Sequence, residues 1–270
     1  MRRRFPAVDD RLEEWFRTLG FGALPSPPAY FEDGLCSLHD HGFVADERFE
    51  KAYLRGIQAS GGVDHRIRWR AHIFLWAARQ AAALPGDFVE CGVNTGFLSS
   101  AMLADLEWGR LDKTLYLLDT FAGPVRTQYS EEELREGRWD LAREAVEKGA
   151  YQTNLEAVRA NFSEWPRVEL IPGMVPETLR GVPAERIAFL HLDMNCAAPE
   201  IAALEYFWPR LVPGGFVVSD DFAARGFDSL RRGYAEVLRE LGGEMAALPT
   251  GQGLLIKPAP AAEVSGAVRQ

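Results

Sequence analysis

The stretch Gly86-Asp87-Phe88-Val89-Glu90-Cys91-Gly92-Val93-Asn94-Thr95-Gly96 constrains this chain more than any other. Residues 87–91 have the short apolar run of a buried central strand, and the spacing predicts a helix over 97–106. Gly92 and Gly96 let the backbone between them turn sharply and pass close to a ligand, since neither carries a Cβ. The unpaired N–H groups at the start of the helix then face that turn. Strand, glycine turn and helix N-terminus together make a nucleotide-type site at the carboxyl edge of a sheet. The alternative is a tight turn of any α/β protein, with Glu90 as a surface charge.

Two details favour S-adenosylmethionine over a dinucleotide as the ligand. The Gly-x-Gly-x-x-Gly pattern that cradles a pyrophosphate is absent. Glu90 precedes the first glycine, where a carboxylate repels a pyrophosphate and attracts a cationic amino group. The next strand, expected over 114–118, ends at Asp119, placed to accept hydrogen bonds from ribose hydroxyls.

A length of 270 residues with 47% apolar residues suffices for one large α/β domain, and no apolar run approaches the roughly 20 residues that span a membrane. Charged residues follow Met1-Arg2-Arg3-Arg4 where a signal sequence needs an apolar core, so the expected location is cytoplasmic. A net charge of −9 argues against nucleic acid as a partner. Cys36, Cys91 and Cys196 lie far apart without metal-site or disulfide spacing, and Cys91 suits a small packed position in the turn.

Residues 1–62 read as a helical lead-in, with an amphipathic pattern over 10–19, a proline-rich break over 22–28 and a short helix over 49–58. Ser60-Gly61-Gly62 ends that helix. A long helix capped by Asp64 is expected to run to Ala83 with His65 and His72 along it and Ile67, Trp69, Ile73, Phe74 and Trp76 inside. Residues 63–270 then form the main domain. Its later strands are expected over 168–171, 187–193, 215–220 and 253–257, with a weaker one over 244–247, and its helices over 199–208 and 227–241. That alternation predicts a doubly wound, mostly parallel sheet with helices on both faces. The charged interlude 126–164 is too long for an ordinary loop and reads as a lid or substrate insertion. Its aromatics, Tyr129 and Trp139, either line a pocket or dock the insertion onto its own domain. His39-Asp40-His41 reads as a surface turn, because alternation puts the two imidazoles on opposite sides.

Asp193 ends the strand over 187–193, and Asp220 and Asp221 end the strand over 215–220. In a doubly wound sheet these ends lie side by side, so three carboxylates converge. Like charges that close are costly unless paired, protonated or metal-bound. A hard divalent cation such as Mg2+ takes oxygen ligands and keeps positions open for substrate. Otherwise Asp221 caps the following segment while the other two face water. His191 shares the side of Asp193 and either orients it, packs internally or acts as a base.

The chain resembles the class I O-methyltransferases of the macrocin, mycinamicin and novobiocin type, which act on macrolide and aminocoumarin sugars. The resemblance is carried by Gly86 to Val93, by Leu118-Asp119-Thr120-Phe121-Ala122-Gly123, by Leu190-His191-Leu192-Asp193 and by Trp208-Pro209-Arg210-Leu211-Val212-Pro213-Gly214-Gly215 through Asp221. The ending Leu248-Pro249-Thr250-Gly251-Gln252-Gly253 is similar to relatives as well. The resemblance implies a seven-stranded Rossmann-like sheet, S-adenosylmethionine as cofactor and Mg2+ as an assisting ion. It further implies a small-molecule or glycosylated acceptor, and a homodimer or larger homo-oligomer. By the resemblance Glu90, Gly92 and Asp119 contact the cofactor, with Cys91, Asn94, Gly96, Ser99, Thr120, Phe121, Gly173, Met174 and Asp193 around it. Asp193, Asp220 and Asp221 bind the metal, and Asp193, with His191 beside it, takes the substrate proton. The family pattern Asp-Ala-Asp-Leu-Tyr reads Asp193-Met194-Asn195-Cys196 here, so one acidic position is neutral. An N-methyltransferase on the same scaffold, or a binding protein without catalysis, stays open beside the O-methyl reading.

Overall fold

The structure is a computed structural model, and it describes residues 30–37, 39–152 and 154–259. The expected helix over 10–19 and the break over 22–28 lie outside these residues.

A hairpin of β1 (Tyr30–Glu32) and β2 (Leu35–Ser37) leads into α1 (Glu47–Ala59) and α2 (Arg68–Ala82). Then come β3 (Asp87–Cys91), α3 (Phe97–Asp105) and β4 (Leu115–Asp119). The interlude folds as α4 (Glu131–Arg135), α5 (Arg138–Glu147) and α6 (Leu155–Phe162) before β5 (Val168–Pro172). The chain finishes with β6 (Ile187–Leu192), α7 (Ala197–Phe207), β7 (Leu211–Ser219), α8 (Asp228–Leu241), β8 (Ala246–Ala247) and β9 (Gly253–Ile256). The seven strands of the main sheet lie in the order β5-β4-β3-β6-β7-β9-β8. Pairing is parallel from β5 to β7, and β9 runs antiparallel to both β7 and β8.

Both faces of this sheet are covered, which is why β3, β4 and β6 are almost uniformly apolar. Phe88, Leu115, Leu117 and Phe189 pack on one face under α1, α2 and α3. Val89, Cys91, Leu118, Leu190 and Leu192 pack on the other under α7 and α8. Each fully buried Phe or Leu of these layers contributes roughly 1.5–3 kcal/mol. Helix α1 joins the first layer through Phe49, Ala52 and Tyr53, so it shares the core of residues 63–270. Its Gly56 lies against the Phe97 ring and carbonyl, where a Cβ would not fit.

Three local expectations are corrected. Helix α2 starts at Arg68 and is not capped by Asp64, whose carboxylate instead accepts from the Tyr53 hydroxyl and the Arg66 amide and pairs with Arg68. His65 therefore precedes the helix, with Nε2 3.1 Å from the Ser60 hydroxyl. Trp76 is 38% exposed and lies edge-on to Phe216 at the rim of the core. His72 stacks on Phe43 at 4.0 Å, as a packed histidine should. His39 and Asp40 are exposed in a turn where Asp40 accepts from the Gly42 amide. Tyr129 and Trp139 meet edge to face at 5.7 Å and pack on Cys196, so these aromatics dock the insertion onto the domain.

Candidate active site

The carboxyl ends of β3, β4 and β6 each turn through a non-glycine residue in the left-handed region: Asn94 at φ 51°, Phe121 at φ 48° and Asn195 at φ 59°. Backbone strain of this kind persists where the surroundings over-determine it and gathers at functional sites. A cleft opens along this edge between the glycine turn, the ends of β4 and β5, and the loop after β6.

Asp119 organises the cofactor side. Its Oδ2 accepts from the amides of Val93 at 2.7 Å and Asn94 at 2.9 Å, and its Oδ1 accepts from the Phe121 amide at 2.8 Å. Three main-chain amides thus use the carboxylate to fix the turn, and the Thr120 hydroxyl, which donates to the Gly123 carbonyl at 2.7 Å, lies 3.4 Å from Oδ1. Gly92 has φ 92°, and a Cβ there would run into the carbonyl of Asp193. The turn and the loop after β6 therefore touch main chain to main chain. Gly92→Ala is expected to cost ~1–2 kcal/mol for the backbone conformation alone, and more because Asp193 must retreat. Urea unfolding of the variant checks this.

Among the expected cofactor residues, Gly92, Asn94, Asp119, Thr120, Gly173 and Asp193 line the cleft. Glu90, Cys91, Gly96, Ser99, Phe121 and Met174 do not. Cys91 is fully buried on the α7/α8 face, and Gly96 caps α3 against the Phe162 ring. Phe121 is buried in the α1/α2/α3 layer, and Met174 points to solvent. Glu90 is 3% exposed. Its carboxylate accepts from the Ser99 hydroxyl and lies 3.1 Å from His191 Nδ1. The cause is register: Glu90 and His191 face each other across β3 and β6, on the same side as Phe88 and Phe189.

The carboxylates of Asp193, Asp220 and Asp221 do converge: Asp220 and Asp221 raise the proton affinity of Asp193, and Asp220 raises that of Asp221. Burial favours the neutral form of Asp220, yet the Arg70 guanidinium and His191 hold its carboxyl well below the usual range. Arg70 Nη1 donates to Asp220 Oδ2 at 2.7 Å and to its carbonyl at 2.8 Å, while Gln252 Nε2 donates to Oδ1 at 2.9 Å. Arg70 Nε also reaches Asp33 in the β1–β2 turn at 3.0 Å. Among the described residues neither Asp193 nor Asp221 has a cation in direct contact, and His191 near the first and Arg70 and Arg138 near the second offset the crowding only in part. Burial together with Asp220 pushes both up, Asp221 to about 7. Among the described residues Asp193 Oδ1 accepts only from Asn195 Nδ2 at 3.2 Å, and the buried Asp221 Oδ2 has no hydrogen-bond partner. His191 stands behind the cluster. Burial opposes its charge, but Asp220 and Glu90 override it and raise its pKa to about 10. Its Nε2 lies 4.0 Å from Asp220, a charge contact without a hydrogen bond.

These shifts fix a sign for pH dependence. Asp221 titrates near 7 when folded against an ordinary 3.8, so the folded chain holds a proton that the unfolded chain has released. Stability then falls as pH rises from about 4 to about 7, and Asp193 acts in the same direction. Asp220, held low, has the opposite sign and acts only in more acid solution. His191 contributes stability that is complete below about 6.5 and is lost progressively as pH rises from there through about 10. In EDTA the melting temperature is expected to drop between about pH 5 and pH 7.5. A flat calorimetric profile there would count against the uncompensated pair.

Several site residues carry no local signal in the sequence. Arg70 sits in the first turn of α2, 150 positions before Asp220. Glu200, fully buried, accepts from the Met194 amide and the hydroxyls of Ser219 and Tyr234, fixing the loop after β6. Tyr151, Gln152 and Gln128 line the cleft from the insertion. Arg138 lies 3.4 Å over the Phe227 ring and donates to the Asn195 carbonyl. Gln252 had a signal, since its segment belongs to the resemblance.

The strand order, with its reversed last strand and a glycine turn after the first parallel one, defines a class I, Rossmann-like methyltransferase fold. The chain belongs to the macrocin O-methyltransferase (TylF) family, whose model matches residues 75–237. It is 37% identical over 149 residues to the 8-demethyl-8-(2,3-dimethoxy-alpha-L-rhamnosyl)-tetracenomycin-C 4'-O-methyltransferase of Streptomyces olivaceus, covering 53% of this chain and 55% of that protein. It is 31% identical over 148 residues to the mycinamicin III 3''-O-methyltransferase of Micromonospora griseorubida, covering 52% and 56%. The chain thus spans about half the length of the curated relatives it matches. In fold it is similar to the O-methyltransferase NovP, with a TM-score of 0.62 at 18% identity over 82% of this chain and all of that one. CalS11, a calicheamicin methyltransferase, superposes with a TM-score of 0.52 at 17% identity over 81% and 94%. Among the described residues no helix is long and apolar enough to cross a membrane.

Proposed function

We propose that this chain transfers the methyl group of S-adenosylmethionine to a hydroxyl of a small, glycosylated acceptor, with Mg2+ assisting. The observation that carries the reading is the juxtaposition, through the Gly92–Asp193 backbone contact, of a cofactor cleft and a cluster of buried carboxylates.

The cleft is lined by two carboxylates and by no lysine or arginine. That suits a ribose and a sulfonium cation and opposes a pyrophosphate. Gly92, Asp119, Thr120 and Gly173 would hold the cofactor, which supplies an electrophilic methyl group. The two curated relatives are named for methylation of sugar hydroxyls, which supports the O-methyl reading over an N-methyl one. Asp193, once ionised, takes the proton of the acceptor hydroxyl at its carboxylate, and the burial and crowding that raise its pKa make that ionised form a stronger base than an ordinary aspartate. Burial of the cluster keeps water from competing for the methyl group.

The residues also fit a hard divalent cation, since the unpartnered Asp221 Oδ2 and the poorly paired Asp193 are oxygen donors in want of positive charge. Both oxygens of Asp220 are engaged by Arg70 and Gln252, which leaves Asp193 and Asp221 to hold the ion. Among the described residues no group of three histidine, cysteine, aspartate or glutamate side chains is placed to hold a metal ion, so this part of the reading rests on the donor chemistry of Asp193 and Asp221. When bound, Mg2+ lowers the pKa of a coordinated hydroxyl. The insertion 126–164, which lays Tyr151 and Gln152 along the cleft, serves as its cover.

Calorimetric titration of S-adenosylhomocysteine tests the cofactor site, and transfer of labelled methyl from S-adenosylmethionine to a panel of rhamnosylated polyketides tests the acceptor class. Micromolar or tighter binding together with label in the sugar, greater with Mg2+ than with EDTA, is the expected outcome. Label on nitrogen would replace the O-methyl reading, and absence of cofactor binding would sink it.

A further inference from the structure

Asn94 is held on two sides. Its amide N–H donates to Asp119, while its side chain turns toward the insertion. There Nδ2 donates to the Ala150 carbonyl at 2.9 Å and Oδ1 accepts from the Gln152 amide at 2.7 Å. The side-chain amide thus pairs with two main-chain groups that bracket Tyr151, as one rung of a sheet would. Tyr151 lines the cleft beside Asp193, where cofactor side and carboxylate cluster meet. The insertion's other end is tied to the opposite wall. Glu133 accepts from the Ala197 amide at 2.8 Å, and Arg138 bonds the Asn195 carbonyl.

We infer that Asn94 is a positioning residue which couples the occupancy of the cofactor turn to the placement of Tyr151 against the acceptor side. The inference rests on the methyl-transfer reading and deepens it. Asn94 follows Val93 directly, and both amides hang on Asp119, so a ligand that seats the turn also seats the Ala150–Gln152 segment through the two side-chain bonds. Residue type matters twice. Asparagine tolerates φ 51° better than most residues, and its amide offers a donor and an acceptor of peptide shape that glutamine would carry one methylene further out. Aspartate keeps the size and the bond from Gln152 but cannot donate to Ala150. Glycine keeps the backbone conformation and loses both bonds.

Hydrogen exchange of the full chain, followed by mass spectrometry for wild type, Asn94→Gly and Asn94→Asp with and without S-adenosylhomocysteine, decides the matter. Without ligand, exchange over 150–152 is expected to quicken about tenfold in Asn94→Gly and by less in Asn94→Asp. Exchange in β3 and β6 should stay unchanged, which reports intact folding. With S-adenosylhomocysteine at concentrations that calorimetry shows to saturate each protein, exchange over 150–152 slows in wild type and stays fast in Asn94→Gly. Equal exchange in wild type and Asn94→Gly, or equal slowing by ligand in both, overturns the inference. Failure of the wild type to bind S-adenosylhomocysteine overturns the methyl-transfer reading and the coupling with it. That failure is recognisable because the ligand-free difference between variants would persist.

Discussion

Arg70→Met is expected to lower the unfolding free energy by about 3–5 kcal/mol, the cost of stranding one partner of a buried ion pair. The guanidinium lies on the inner side of α2 with 14% of its side chain exposed, and Asp220 beneath it with 10%. Methionine fills much of the stem volume, so the loss is electrostatic and not one of packing. Without Arg70, Asp220 sits among Asp193 and Asp221 with only His191 and Gln252 to balance it. The bond from Arg70 to Asp33 goes as well, which frees the β1–β2 turn. Differential scanning calorimetry in EDTA should record a melting temperature lower by roughly 10 °C. Combining Arg70→Met with Asp220→Asn should restore a good part of it, because the stranded charge is then gone. An additive double variant would show that Arg70 acts by packing alone.

The largest functional effect is expected at Asp193. Asp193→Asn should reduce methyl transfer by about 10²–10⁴-fold, the range of a general base, while S-adenosylhomocysteine still binds. The two readouts separate the roles. In the proposed reaction the carboxylate takes the acceptor's proton, whereas the cofactor site is the turn and Asp119, whose bonds the substitution leaves alone. Removing one of three crowded negative charges should also leave the protein as stable as wild type or more so, since Asp193 is pushed up by burial and by Asp220 and Asp221. Lower activity with an equal or higher melting temperature is the signature of a site that trades stability for chemistry. A variant as active as wild type would remove Asp193 from the reaction and leave the cluster as structure.

Much of this molecule was legible from local patterns. The run from Asp87 to Cys91, the glycine turn and the helix after it fall where apolar periodicity and chain-reversing residues place them. Asp119, Asp193 and the Asp220–Asp221 pair were found because strand ends in a parallel sheet must share one edge. These inferences need only neighbours within a few residues and the regular geometry of a strand or a helix.

What escaped depends on contacts between distant segments. Alternation alone puts Glu90 on the face of Phe88, but the identity of its partner follows from the register of β3 against β6, which the crossover helices set. The carboxylate expected to meet a cofactor is for that reason buried against Ser99 and His191. Likewise the three aspartates look alike in the sequence. Arg70 and Gln252, arriving from α2 and from the loop before β9, neutralise Asp220 and leave Asp193 and Asp221 short of charge. Charge balance in a buried cluster is decided by a few ångströms between elements far apart in the chain. Sequence therefore determined where the carboxylates gather, and only the tertiary structure decided which of them are left to work.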